Sequence, residues 1–123
     1  MTKKILLVED DPFLADIYTT KMKEAGFDIQ VVEDGGGVIA RIKEQKPDLL
    51  LLDIVLPHLD GWEVIRQIKE SADLKDLRVI ILSNLGQKNE VEKGLQMGAV
   101  KYLIKAHYTP TEIAEEIKKV LKE

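Results

Sequence analysis

The chain has 123 residues, a formal net charge of -4 from 18 Lys and Arg against 22 Asp and Glu, and no cysteine. That length suits one domain with a real core and no independent output module, and the acidic balance argues against a nucleic-acid surface, which needs a basic face. Without cysteine there are neither disulfides nor thiolate metal sites, so any metal must take oxygen or histidine ligands, which fits a cytoplasmic protein.

The N-terminal MTKKILLVEDD starts basic and then apolar, but acids interrupt the apolar run too early for a signal peptide or a membrane span. Ile5 to Val8 reads as a strand that ends in Glu9, Asp10 and Asp11. Asp11 and Pro12 follow as N-cap and first helical residue, and Leu14, Ile17, Tyr18, Met22 and Ala25 form a helical face that Gly26 ends. Asp28 to Val32 gives a second strand. Glu33, Asp34 and the glycines 35 to 37 form a turn, and those glycines should fray the start of a second helix marked by Val38, Ile39 and Ile42.

Pro47 and Asp48 launch LLLLDIVLPHLDG, residues 49 to 61, whose four leucines read as a central parallel strand buried on both faces. Asp53 closes it. A carboxylate there is costly inside a sheet, but at the carboxyl end it is solvated or binds a cation, with a plain turn cap as the alternative. Asp60 caps a third helix through Val64, Ile65 and Ile68. Leu77 to Leu82 is a fourth strand ending in Ser83 and Asn84; Val91, Leu95 and Met97 mark a fourth helix; Val100 to Ile104 is a fifth strand ending in Lys105. A last helix runs from about Thr111 to Leu121, with Ile113, Ile117, Val120 and Leu121 on one face. Five alternations imply βαβ units, a mainly parallel sheet and helices on both faces.

In such a sheet every strand ends at one edge, so Glu9, Asp10, Asp53, Ser83 and Lys105 converge. Clustered acids without Cys or His suit Mg2+, and a metal plus a lysine would make Asp53 a phosphoryl acceptor, with Ser83 able to donate to a phosphoryl oxygen. The motifs KILLVEDD, LLLLDIVLPHLDGWEVI, VIILSN and KYLIKAH, taken jointly, resemble the response-regulator receiver domain over essentially the whole chain.

The resemblance implies a doubly wound, flavodoxin-like α/β sheet in the order 2-1-3-4-5, with residues 1 to 123 forming a receiver that has no output domain. It implies Asp53 as phosphoacceptor, Asp10 as direct Mg2+ ligand, Glu9 holding metal-bound water and the Val55 carbonyl as a further ligand. Ser83 and Lys105 stand at the family's hydroxyl and lysine positions, and Tyr102 at its switch aromatic. Phosphorylation would draw Ser83 and the loop 84 to 87 toward the phosphoryl group, and Tyr102 would turn inward. The implied partners are a histidine kinase or phosphotransfer protein and a downstream protein, with a phosphorylation-dependent homodimer left open and neither nucleic acid nor membrane involved.

Two positions depart from the pattern. Ala106 follows Lys105 where the family usually has proline, often in a cis bond. A cis non-proline bond costs about 2.5 to 4 kcal/mol, so the lysine loop either bears that strain or takes a trans path. Asn84 is bulkier than the small residue usual there and narrows access for the phosphodonor. Elsewhere the plain readings hold: His58 and His107 as surface loop residues, Trp62 partly buried on its helix, EEIKKVLKE as a solvated face. An aspartyl-phosphate hydrolase is disfavoured because Val55 stands where its second acid belongs. A flavin carrier is disfavoured because Glu9, Asp10 and Asp11 would repel phosphate. A receiver-like interaction module that works without phosphorylation is the remaining alternative.

Overall fold

The computed structural model describes residues 2–122. Five strands, β1 (Lys4–Val8), β2 (Asp28–Val32), β3 (Leu49–Leu52), β4 (Arg78–Ser83) and β5 (Lys101–Ile104), form one sheet in the order β2-β1-β3-β4-β5, all pairs parallel. The helices between and after them are α1 (Pro12–Glu24), α2 (Val38–Glu44), α3 (Gly61–Glu70), α4 (Lys88–Gln96) and α5 (Pro110–Leu121). This is the doubly wound sheet that the alternating pattern implies.

Alternation along the central strand explains the two layers. Leu49 and Leu51 point to one face, with Tyr18 and Met22 of α1 and Ile113 and Ile117 of α5. Leu50 and Leu52 point to the other, with Ile42 of α2 and Val64, Ile65 and Ile68 of α3. All four leucines are 0% exposed, so each contributes roughly 1.5 to 3 kcal/mol by leaving water.

Local chemistry sets the helix starts. The Asp11 carboxylate accepts from the N–H groups of Phe13 and Leu14, and Asp60 accepts from Glu63. Thr109 and Glu112 cap α5 reciprocally, one residue before the expected start. The glycines 35 to 37 form a 3-10 turn capped by Asp34, and α2 proper begins at Val38.

Three readings need correction. On α1 the buried residues are Ala15, Tyr18 and Met22, spaced i, i+3, i+7 along one face, and Ile17 lies off the centre of that stripe and is only half-buried. On α4 Leu95 is 46% exposed and the buried residue is Gly94. A Cβ at Gly94 would lie 2.6 Å from Ile81 Cδ1 and 2.8 Å from Tyr102, so the helix seats through the absence of a side chain. Finally, β4 begins at Arg78 and β5 at Lys101; Leu77 is buried in the preceding turn and Val100 is exposed.

Candidate functional site

Register brings the acids together. Val8 pairs with Leu52, so the next residues, Glu9 and Asp53, leave adjacent strands side by side. Their backbones are pinned: Glu9 N–H donates to Val32 O at 3.0 Å and Asp53 N–H to Val8 O at 3.1 Å. Lys105 opens a 3-10 turn, Lys105–His107, directly after β5 and reaches back across the sheet edge. Its bond to Ala106 is trans, since the described residues contain no cis peptide. The trans path therefore delivers the lysine without proline.

The Lys105 ammonium donates to Asp53 Oδ2 at 2.6 Å and lies 2.6 Å from Glu9 Oε1. Both contacts are close ion pairs, so the one ammonium spans two buried carboxylates. Glu9 Oε2 accepts from Asp11 N–H and Asp53 Oδ1 from Val55 N–H, both at 3.2 Å. Glu9, Asp10 and Asp53 each place a carboxylate oxygen within 4.8 Å of the others. Asp10 is exposed at the rim, while Glu9 and Asp53 are buried.

Three carboxylates around one ammonium leave two negative charges in excess. Burial raises the Glu9 pKa, and the nearby Lys105 only partly offsets it. Burial alone would lower the Lys105 pKa, but the Asp53 hydrogen bond and the Glu9 carboxylate outweigh it, and the net shift is upward. The lysine is thus held as an ammonium. The donor set is all oxygen, two of its three carboxylates are buried, and the surplus charge is twofold; these fit a hard divalent cation.

Ser83, 0% exposed at the end of β4, accepts from Leu85 N–H through its hydroxyl oxygen at 3.3 Å. Together with Glu9, Asp10, Asp53, Val55 and Lys105 it lines an open crevice of about 340 Å³. Asn84 and Leu14 also line it; sequence reasoning gave Asn84 a place at the site but treated Leu14 only as core. Val55 is 59% exposed on the lip. Tyr102 on β5 lies outside the crevice, and its hydroxyl donates to Leu85 O, linking β5 to the loop after Ser83. Burial, then Glu90 and Asp53, push its pKa up to about 12.

His58 is exposed, at φ 69, with Nδ1 3.7 Å from Asp34 Oδ2. Trp62 is half-buried beneath Lys93, whose Nζ lies 4.4 Å from the ring centroid. Both occupy the positions expected of a loop residue and a partly buried helix residue.

The chain matches the family described as "Response regulator receiver domain" over residues 5–118. It belongs to the response-regulator receiver family. Among curated proteins, regulatory protein VanRc of Enterococcus gallinarum is 33% identical over 122 residues, covering 99% of this chain and 51% of that protein. The DNA-binding dual master transcriptional regulator RpaA of Synechocystis is 32% identical over 117 residues, covering 95% and 47%. The receiver spans about half the length of these curated relatives.

Among solved structures, a response regulator from Chloroflexus aurantiacus superposes with TM-score 0.92 at 25% identity, covering all of both chains. The BeF3-activated receiver domain of Klebsiella pneumoniae RstA gives 0.89 at 28%, covering 98% and 99%. The Mn2+-bound response regulator Rcp1 gives 0.84 at 27%, covering 95% and 92%. The receiver fold and its acidic pocket thus coincide in this chain.

Proposed function

We propose that this receiver is a phosphorylation-dependent signalling switch that accepts a phosphoryl group on Asp53 from a histidine kinase or phosphotransfer protein. The observation that carries the reading is Lys105 spanning Asp53 and Glu9 beside Asp10. That arrangement pairs a nucleophile with fixed positive charge at an open crevice. Among the similar structures one response regulator is Mn2+-bound and one receiver domain is BeF3-activated, which supports a divalent cation and a phosphoryl-like group as ligands of this fold.

An Asp53 carboxylate oxygen forms a bond to phosphorus while the donor's P–N bond breaks, and the leaving imidazole nitrogen keeps the electron pair. Lys105 neutralises phosphoryl charge, and Ser83 turns its hydroxyl to donate to a phosphoryl oxygen. Glu9, Asp10, Asp53 and the Val55 carbonyl would hold the cation. When bound, Mg2+ supplies the positive charge that lets a dianionic group approach a carboxylate cluster.

Movement of Ser83 would pull the loop 84 to 87, and Tyr102, tied to Leu85, would follow, reshaping the surface of α4, β5 and α5 for a downstream protein in the cytoplasm. The chain catalyses only its own modification.

Intact mass after incubation with acetyl phosphate tests the reading. A single phosphoryl adduct that requires both Mg2+ and Asp53, and is absent in Asp53→Asn, is expected. A folded protein with no adduct would overturn it in favour of an interaction module that acts unphosphorylated. Val55 and Leu85 offer no polar group to orient water, so the adduct should decay slowly; a lifetime of seconds in the mass assay would contradict this.

A further inference from the structure

The β3 to α3 loop, residues 53 to 60, carries Val55 at the crevice and is closed at its base, where Gly61 N–H donates to Ile54 O at 2.8 Å. Its outer side rests on a different part of the chain, the turn between β2 and α2. Gly35 is buried there, and a Cβ on it would lie 1.7 Å from Leu59 O and 2.7 Å from Leu59 C. Both are backbone atoms that cannot swing aside.

Other contacts reinforce the joint. Gly35 N–H points to Pro57 O at 3.4 Å, and Leu59 N–H donates to the same oxygen at 2.8 Å. One Asp34 oxygen caps the turn through Gly36 N–H at 2.8 Å, and the other faces His58 Nδ1 at 3.7 Å. His58 is the one non-glycine residue with positive φ among those described, which marks the loop as bent to meet the turn. A Cβ on Gly37, in the same turn, would meet Val32 Cγ1 at an ordinary 3.6 Å and no atom of the loop.

We propose that Gly35 and Asp34 are positioning residues: the turn they form is a buttress that sets the β3 to α3 loop, and with it Val55, for cation binding. The inference rests on the proposed function, because it needs Val55 at the cation. Loss of a partner hydrogen-bonded to a metal ligand typically changes affinity 10- to 100-fold, and the turn acts one step further out, through the loop, so the low end of that range applies. A Cβ at 1.7 Å forces the turn and the Leu59 backbone apart, and Leu59 lies only four residues (59 − 55) from Val55 on the same loop.

The test is Mg2+ binding by isothermal titration calorimetry, well below each variant's unfolding midpoint. Gly35→Ala should weaken Mg2+ by about tenfold, while Gly37→Ala binds like wild type. A folded Gly35→Ala with unchanged Mg2+ affinity, whatever its melting temperature, overturns the proposal. Should Gly35→Ala not fold, Asp34→Ala is compared with Glu33→Ala, which removes the same charge next door without touching the joint. A several-fold greater loss in Asp34→Ala supports the buttress, and equal losses overturn it. If wild type itself takes up no Mg2+, the metal reading fails first, and that arm alone reveals it.

Discussion

α3 and α4 cover the same face of the sheet and are nearly equal in length, 10 and 9 residues, yet they are attached by different means. α3 buries Gly61, Val64, Ile65 and Ile68, a stripe that follows the helical period. α4 buries Gly94 alone and leaves Leu95 in water. One helix is held by apolar area, the other by close approach of its backbone, the Tyr102 to Leu85 tie beside its start and Lys93 lying over Trp62. Few buried contacts mean a low local opening free energy, so the two helices differ in mobility by construction.

The largest effect expected from breaking this contrast is at Ile65. Ile65→Ala should cost about 2 to 5 kcal/mol in urea unfolding, whereas Leu95→Ala should stay within about 0.5 kcal/mol. Equal losses would abolish the distinction. Gly94→Ala comes next. In most helices that change is stabilising, but here the new methyl meets Ile81 and Tyr102, and overpacking should cost about 1 to 3 kcal/mol. Amide hydrogen exchange should quicken in α4 and remain unchanged in α3.

Lys93→Met removes the cation over Trp62 and should cost about 0.5 to 1 kcal/mol, with a change in Trp62 fluorescence. The smallest effect lies on the outer face of α3, where Arg66 pairs with Glu63 and Glu70. Hydrogen bonds from Arg66 and then Gln67 lower the Glu63 pKa to about 2. A depressed carboxylate contributes stability above its unfolded value of 4.5 and loses it as pH falls through about 2. The difference between wild type and Arg66→Met should therefore be present at neutral pH and vanish on acidification, and salt should shrink it because the pair is exposed.

Much of this was legible in the sequence because each strand is a short apolar run closed by a polar residue. Asp28 to Val32 and the four leucines 49 to 52 are placed without error, and β1 starts one residue earlier than expected, at Lys4. β4 and β5 start one residue later because the apolar Leu77 and Val100 extend the run beyond the ladder, and β4 also takes in Ser83. The convergence of Glu9, Asp10, Asp53, Ser83 and Lys105 followed from topology alone, since a parallel sheet has one carboxyl edge. What did not show was contact made by small residues. Ala15 is only a weak apolar signal and Gly94 is none, so periodicity assigned their roles to Ile17 and Leu95. Gly35 looked like a source of fraying, because its value lies in a backbone 24 residues away (59 − 35) that no local pattern reveals.

The backbone at Asp53 is clamped on both sides: its N–H is committed to Val8 O, and the Gly61 backbone presses so close that a Cβ there would lie 2.6 Å from Asp53 O. Ser83, also lining the crevice, is the last residue of β4, and past it the chain enters the loop before the lightly anchored α4. Bulk added between a fixed jaw and a sprung one displaces the sprung one. If Asp53 carries the group proposed for it, the strain would run toward α4 and away from α3, and the fold would act as a mechanical rectifier.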